Sequence, residues 1–111
     1  MPMISLKCPC EIPQNVLKEL SAAAAEGIGK PEKYVMAVGS HTDVLLGGAD
    51  CPAAFVDVRS IGGLTPEVNR RLSKKICTIL ESSLHIPPDH VYITFMPYES
   101  AAWGCNGTTF G

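Results

Sequence analysis

A proline stands directly behind the first methionine in the opening stretch MPMISLKCPC. Because proline lacks a backbone N–H, a β-strand accepts it at its first residue or on an edge, and that structural role alone is enough to explain Pro2. A chemical role is the alternative. Removal of Met1 would convert the Pro2 nitrogen into a free secondary amine, and a free amine can act as a catalytic base.

Such a base must be uncharged at neutral pH. An ordinary α-amine has a pKa of about 8 and is mostly protonated there. Apolar surroundings and a nearby cation both lower the pKa of an amine, and a decrease of about two units would leave most of it neutral. General-base catalysis by a group of this kind contributes about 10²–10⁴ in rate.

Lys30 is the candidate cation. It stands between Gly29 and Pro31, and proline biases the residue before it toward an extended backbone, which would aim the lysine side chain consistently. The alternative is a lysine that complements the negative end of the first predicted helix. The residues themselves leave both roles open.

Cysteine chemistry is a second possibility. The five cysteines are an odd number and no signal peptide precedes them, which argues against a disulfide framework. Cys77 falls in an apolar helical pattern and is predicted to be a small core residue. Cys8 and Cys10 form a C-P-C motif that could bind metal or carry electrons, although no histidine is near and no C-x-x-C occurs. No metal site is predicted.

The elements that would position these residues come in two similar units. The stretch MISLK alternates apolar and polar residues as a half-buried strand does. An amphipathic helix is predicted from Gln14 to about Gly27, and KYVMAVGS then predicts a second strand.

The second unit repeats this plan. AAFVDVRSI predicts a strand, and Thr65 and Pro66 have the residue types of a helix N-cap and first helical position. The helical pattern continues to Leu84, and HVYITFM predicts another strand. In this comparison Pro31 and Pro88 take equivalent positions. The Asn106-Gly107 pair predicts a hairpin near the end of the chain.

The predicted fold is therefore α/β, with one domain over residues 1–111 and pseudo-repeats at about 1–50 and 51–111. Two β-α-β repeats would form one four-stranded mixed sheet with both helices on one face. The opposite sheet face is expected to be apolar. The free-energy cost of leaving that face in water would exceed a domain's whole stability of about 5–15 kcal/mol. We therefore expect the sheets of different subunits to pack against each other. The residues predicted on that face are Val35, Ala37, Phe55, Val56, Val58, Val91, Ile93 and Phe95.

Charge and hydropathy exclude several functions. The net charge is −2, and the one basic cluster, Arg70, Arg71, Lys74 and Lys75, is too small for a nucleic-acid footprint. No apolar run is as long as a membrane span. Lys7 and Glu11 interrupt the first apolar stretch, so no signal peptide is predicted. We expect a cytoplasmic protein, and any secretion would take a non-classical route.

Short motifs distributed over the chain point to a known family. In order they are Met1-Pro2-Met3, Gly29-Lys30-Pro31, Tyr34-Val35-Met36, Gly47-Gly48, Ser60-Ile61-Gly62-Gly63, Val91-Tyr92-Ile93 and Asn106-Gly107-Thr108-Thr109-Phe110. Each is weak alone. Together they resemble the macrophage migration inhibitory factor (MIF) family of the tautomerase superfamily, whose members use an amino-terminal proline.

The resemblance implies a homotrimer with three active sites at subunit interfaces. Pro2 would be the catalytic base, Lys30 would bind the carboxylate of the substrate, and Tyr92 would come from the neighbouring subunit. Ser60 and Ile61 would line the pocket, with the Ile61 N–H as a donor. Met3, Tyr34 and Phe110 would form its apolar walls.

The activity implied is keto–enol tautomerisation of a phenylpyruvate-like aromatic α-keto acid or a dopachrome-like ring. The proton would pass through one amine, so no cofactor is needed. A secreted, cytokine-like protein that binds a receptor and keeps a vestigial site is the alternative. A thiol–disulfide enzyme using Cys8 and Cys10 is a third possibility.

Three departures from the family pattern bear on the site. Thr94 stands where the vertebrate cytokine has asparagine. Trp103 precedes Gly104-Cys105-Asn106, so the indole is two residues from its family position and one pocket wall is reshaped. Ala53 and Val56 replace the cysteines of the cytokine's C-x-x-C, so the thiol activity credited to that motif does not carry over.

Overall fold

The computed structural model describes all 111 residues. Six strands, two helices and three single 3-10 turns follow each other along the chain. They are β1 (Pro2–Cys8), α1 (Gln14–Ile28), the turn Glu32–Tyr34, β2 (Met36–His41), β3 (Ala54–Ser60), α2 (Pro66–Leu84), the turn Pro88–His90, β4 (Val91–Pro97), the turn Ser100–Ala102, β5 (Gly104–Cys105) and β6 (Thr108–Thr109).

The main sheet has the strand order β2-β1-β3-β4. Each β-α-β unit contributes a parallel pair, β1 with β2 and β3 with β4, and the two units meet through the antiparallel pair of β1 and β3. Helices α1 and α2 cover one face of this sheet, because both crossovers must run over it. The predicted fold class is confirmed.

Local sequence sets the helix ends. The Oγ of Thr65 accepts a hydrogen bond from the Val68 N–H at 3.2 Å, and Pro66 takes the first turn of α2. The residues that cap the ends of the helices, Gly29 after α1 and His85 after α2, are both in the left-handed conformation. The predicted hairpin also forms, since Asn106 and Gly107 both have positive φ and connect β5 to β6.

The equivalence between the two repeats differs from the prediction by one residue. Pro31 precedes the 3-10 turn before β2, and Pro87, rather than Pro88, precedes the corresponding turn before β4. The first of these turns also makes β2 begin later than the predicted strand KYVMAVGS. The N–H groups of Tyr34 and Val35 donate to the carbonyls of Pro31 and Glu32, which closes the turn before Met36.

The prediction of the uncovered sheet face was largely wrong. Val56 and Val58 are fully buried in the core beneath the helices, and Ala37, Ile93 and Phe95 pack against that core. Val91 lies in the core as well, and the partly buried Val35 packs against the core. The prediction counted consecutive strand residues together, although successive side chains point to opposite faces.

We call the other face of the sheet the open face. Of the predicted residues only Phe55 lies there, and Asp57, Arg59 and Thr94 make part of it polar. Its exposed apolar side chains are nevertheless large, with Met36 64%, Tyr92 67% and Met96 51% exposed. Met3 and Val38 lie on the same face.

The core lies between the sheet and the helices. Its largest fully buried side chains include Ile4 and Leu6 of β1, Leu20 of α1, and Leu72 and Ile76 of α2. Cys77, predicted to be a core residue, is half-buried and packs against this core. Neither helix is both long and apolar enough to span a bilayer.

Candidate active site

The start of β1 lies beside the end of β3. Pro2 is the register partner of Ser60, and both side chains are buried. The Ser60 hydroxyl donates to the carbonyl of Gly62 at 2.8 Å, and its own carbonyl accepts from the Tyr98 N–H at 2.9 Å. Ser60 is thereby held on both sides, and the sheet fixes Pro2 opposite it.

The end of α1 reaches the same place. A Cβ built on Gly63 would lie 2.7 Å from Ile28 Cγ2 and 3.0 Å from the Ile28 carbonyl oxygen, so the loop after Ser60 touches the last turn of α1. The N–H groups of Gly29 and Lys30 both donate to the Ala25 carbonyl at 3.0 Å. Lys30 therefore leaves the helix in a fixed position beside the Ser60 loop.

Electrostatics connect Lys30 to the start of the chain. Burial, followed by the charge of the Lys30 ammonium, lowers the pKa of the Met1 α-amine below its ordinary value. Both effects disfavour the protonated amine. An amine at this end of β1 thus has the two influences that a neutral base requires.

A cleft of about 300 Å³ opens beside Met3, the residue after Pro2, and is lined by Met3, Arg59, Tyr98, Ala102, Trp103 and Gly104. The rings of Tyr98 and Trp103 meet edge to face, with centroids 5.6 Å apart. The cleft brings together two predicted wall residues, Met3 and Trp103.

Arg59 and Tyr98 were missed from the sequence. The Arg59 guanidinium lies 5.9 Å from the Tyr98 ring centroid and pairs through Nε with Asp57 at 2.7 Å. Strand alternation could have placed Arg59 beside Met3, its register partner, once β3 was predicted. Tyr98 carries no comparable signal, because it follows the last residue of β4.

The remaining wall residues lie in the connections around the site. Ile61 follows Ser60 directly and is half-buried. Tyr34 is 45% exposed and lies in the turn after Pro31, with the Lys33 ammonium 5.1 Å from its ring centroid. Phe110 is 44% exposed, and its N–H donates to the Trp103 carbonyl at 3.1 Å.

Tyr92 and Thr94 do not join Pro2 within one chain. Pro97 is the β4 residue in register with Ser60, and Tyr92 lies five residues before it. At about 3.3 Å per residue this separates Tyr92 from the Pro2 end of the sheet by about 16 Å. Both side chains lie on the open face, where the Thr94 hydroxyl donates to Asp57 Oδ1 at 2.8 Å. No three His, Cys, Asp or Glu side chains come close enough to hold a metal ion.

This fold is that of the tautomerase superfamily. A family model described as Macrophage migration inhibitory factor (MIF) matches residues 1–111. The chain belongs to the MIF family, which confirms the resemblance seen in the sequence.

Individual relatives agree with this assignment. Macrophage migration inhibitory factor from Mus musculus is 39% identical over 101 residues, covering 89% of this chain and 87% of the relative. The solved structure of macrophage migration inhibitory factor from Toxoplasma gondii is 31% identical, with a TM-score of 0.92 over 97% of this chain and 99% of that one. Pt0534, solved after inactivation by 2-oxo-3-pentynoate, is 19% identical with a TM-score of 0.86 over 96% of this chain and 94% of that one, a likeness of fold alone.

Proposed function

We propose that this chain, once Met1 is removed, is a keto–enol tautomerase whose general base is the secondary amine of Pro2. The substrate is a small aromatic α-keto acid of the phenylpyruvate type, or a dopachrome-like ring that carries a carboxylate. Membership of the MIF family and the tautomerase-superfamily fold support an isomerase of this class.

One observation carries the proposal. The α-amine of Met1, just before β1, is partly desolvated and lies under the influence of the Lys30 charge, and both effects lower its pKa. After Met1 is removed, the amine moves one residue inward to Pro2, whose ring is already buried against the Ser60 strand. Burial increases with that step, so the neutral form of the amine is favoured further.

The proposed reaction moves one proton. Lys30 binds the substrate carboxylate and holds the carbon next to the carbonyl at the Pro2 nitrogen. Neutral Pro2 removes a proton from that carbon as the carbonyl becomes an enolate, and the protonated Pro2 then delivers the proton to the enolate oxygen. The Ile61 N–H and the Tyr92 hydroxyl of a neighbouring subunit stabilise the oxyanion as preorganised donors.

The walls of the site would select the ring of the substrate. Met3 and Trp103 line the cleft, and the buried, hydrogen-bonded Ser60 faces Pro2 across the pairing of β1 with β3. Tyr34 and Phe110 add partly exposed aromatic surface. Thr94 would act across the interface with Tyr92, with a shorter side chain than the asparagine of the vertebrate cytokine.

A homotrimer completes this site. Tyr92 and Thr94 lie on the open face, far from Pro2 of their own chain, so a second subunit must supply them. The large exposed side chains Met36, Tyr92 and Met96 give that face an apolar surface to bury. Three sheets that enclose a common core would cover it.

The test is phenylpyruvate turnover by protein whose intact mass shows that Met1 is absent. Pro2→Gly keeps a terminal amine but loses the ring and the secondary amine, and we expect kcat/KM to fall by about 10²–10⁴. A matched sample with an amino-terminal extension, which makes the Pro2 nitrogen an amide, should be equally inactive. Full activity in either sample would refute Pro2 as the base.

A receptor-binding protein is the second candidate function. It is favoured by the relatives, whose names describe an inhibitor of macrophage migration. In that case secretion would use a non-classical route and the pocket would be vestigial. Absence of turnover by both processed and extended protein, with a folded trimer, would favour this function.

A further inference from the structure

A pair of thiols meets at the opposite end of β1 from Pro2. The sulfurs of Cys8 and Cys10 are 3.3 Å apart, and the Cys8 thiol also lies 3.5 Å from the Cys10 carbonyl oxygen. No other cysteine sulfurs in the chain are in contact. Cys8 lies six positions after Pro2, about 20 Å along the strand, so the pair is not part of the proposed tautomerase site.

The backbone explains why the two sulfurs meet. Cys8 is the last residue of β1, held there by its register partner His41 and by a hydrogen bond from the Thr42 N–H to its carbonyl at 2.9 Å. The chain then bends at Pro9 and Cys10, which brings the second thiol back over the first.

The two thiols differ in access. Cys8 is fully buried in the core, whereas Cys10 is half-buried and lines a cavity of about 280 Å³. Leu84 and Ile86 are among the apolar residues that line this cavity, and Asp50 and Cys51 line it as well. A small molecule can therefore reach Cys10 first, while Cys8 is placed behind it.

We propose that Cys8 and Cys10 form a reversible disulfide in the folded protein, with a low-molecular-weight disulfide of the glutathione class as the oxidant. The Cys10 thiolate attacks one sulfur of the oxidant, which forms a mixed disulfide at Cys10 and releases one thiolate. The Cys8 thiol then loses its proton and attacks the Cys10 sulfur, and the second small thiolate leaves. Two protein thiols are oxidised, and one small disulfide is reduced to two thiols.

The environment makes this a slow exchange. Burial, a hydrogen bond with Cys8 and the charge of Cys8 raise the pKa of Cys10 to about 11. Thiolate is the attacking form, and little of it is present at neutral pH. A thiol pair with these properties equilibrates slowly with the thiols and disulfides around it, and it is poorly suited to catalytic turnover of disulfides.

The experiment equilibrates the reduced full-length protein in glutathione buffers that span a wide range of GSH to GSSG ratios. Samples are quenched in acid, their free thiols are alkylated, and the protein is cleaved with trypsin. Cleavage after Lys7 and Lys18 yields residues 8–18, which contain both thiols and no other cysteine. We expect this peptide to change from doubly alkylated to an unalkylated form that lacks two hydrogens, in more than half of the molecules in the most oxidising buffer.

Three results would overturn the proposal. The peptide could stay doubly alkylated in every buffer, it could stop as a glutathione adduct at Cys10, or it could become linked to residues 34–59, which contain Cys51. Two variants sharpen the assignment. Cys51→Ser should shift the midpoint ratio by less than twofold, and Cys10→Ser should leave Cys8 reduced in every buffer. A larger shift in the first variant would assign the exchange to Cys51 instead.

Discussion

Pro2 faces Ser60 across the antiparallel pair of β1 and β3, and the Ser60 hydroxyl is buried in a 2.8 Å hydrogen bond to the Gly62 carbonyl. The start of the chain is therefore fixed to the loop that contacts the end of α1. Three segments that are distant in sequence meet at this point: the start of β1, the end of α1 next to Lys30, and the loop from Ser60 to Gly63.

Lys30 can be tested against its neighbour Lys33. Burial and, after it, the charge of Lys30 lower the pKa of the Met1 amine, and Lys30→Ala removes the second cause, so we expect the amine of the processed protein to titrate at a higher pH. The acidic limb of the kcat/KM profile should then move to higher pH, and KM for phenylpyruvate should rise more than tenfold at neutral pH. Lys33→Ala is the matched control and should leave both unchanged. Equal profiles for the two variants would remove Lys30 from the site.

Gly62 and Gly63 offer a matched pair of substitutions. Both have positive φ, so alanine costs about 1–2 kcal/mol of backbone strain at either position. Only at Gly63 does the added Cβ run into Ile28, at 2.7 Å and 3.0 Å from its atoms. Gly63→Ala should therefore lower the free energy of unfolding in urea by clearly more than Gly62→Ala. Similar losses would mean that the loop and α1 are not in close contact.

The open face can be tested through Met96, which is 51% exposed on β4. Met96→Glu places a carboxylate where the proposed subunits meet, and burial of an unpaired charge disfavours association. Sedimentation velocity should show a trimer for the unmodified chain and a monomer for this variant, with tautomerase activity lost together with the trimer. The exposed α2 substitution Lys74→Glu is the control. A monomer in the unmodified chain would contradict the proposed assembly.

Cys10 provides a prediction about pH. Its pKa of about 11 exceeds the ordinary value of 9.0 by about two units, so its thiolate fraction at neutral pH is about a hundredfold lower than for an ordinary thiol. Alkylation of Cys10 by iodoacetamide should therefore be slow at pH 7 and accelerate about tenfold per pH unit up to about 11. The exposed Cys105 is the internal reference in the same digest. Equal rates for the two cysteines at pH 7 would show that Cys10 is not shielded.

The helices, strands and hairpin could be predicted from the sequence because the signals that mark them are local. Thr65 and Pro66 mark the start of α2, and Asn106-Gly107 marks the hairpin, through properties of those residues alone. The side of the sheet that each strand residue faces depends on register. That is why Val56 and Val58 were assigned to the open face although they lie in the core.

The residues of the candidate site also differ in how far the sequence predicts them. Pro2, Lys30 and Ser60 were found from motifs, yet their proximity depends on pairing between β1 and β3 and on the contact of α1 with the Gly63 loop. Arg59 was not predicted, because its place in the cleft follows from its pairing with Met3 across the sheet and not from its neighbours in sequence. The contact of Cys8 with Cys10 depends on a bend of the backbone that no residue count predicts.

The charge of the Pro2 nitrogen decides whether it can act as a base, and titration measures that charge directly. Protein with ¹⁵N-labelled proline, shown by intact mass to lack Met1, contains a single proline nitrogen that is an amine, while every other proline nitrogen is an amide. Its ¹⁵N chemical shift should report a pKa well below the ordinary value of about 8, so that most molecules are neutral at pH 7. A pKa of 8 or higher would rule out Pro2 as the base, because its amine would be protonated at neutral pH.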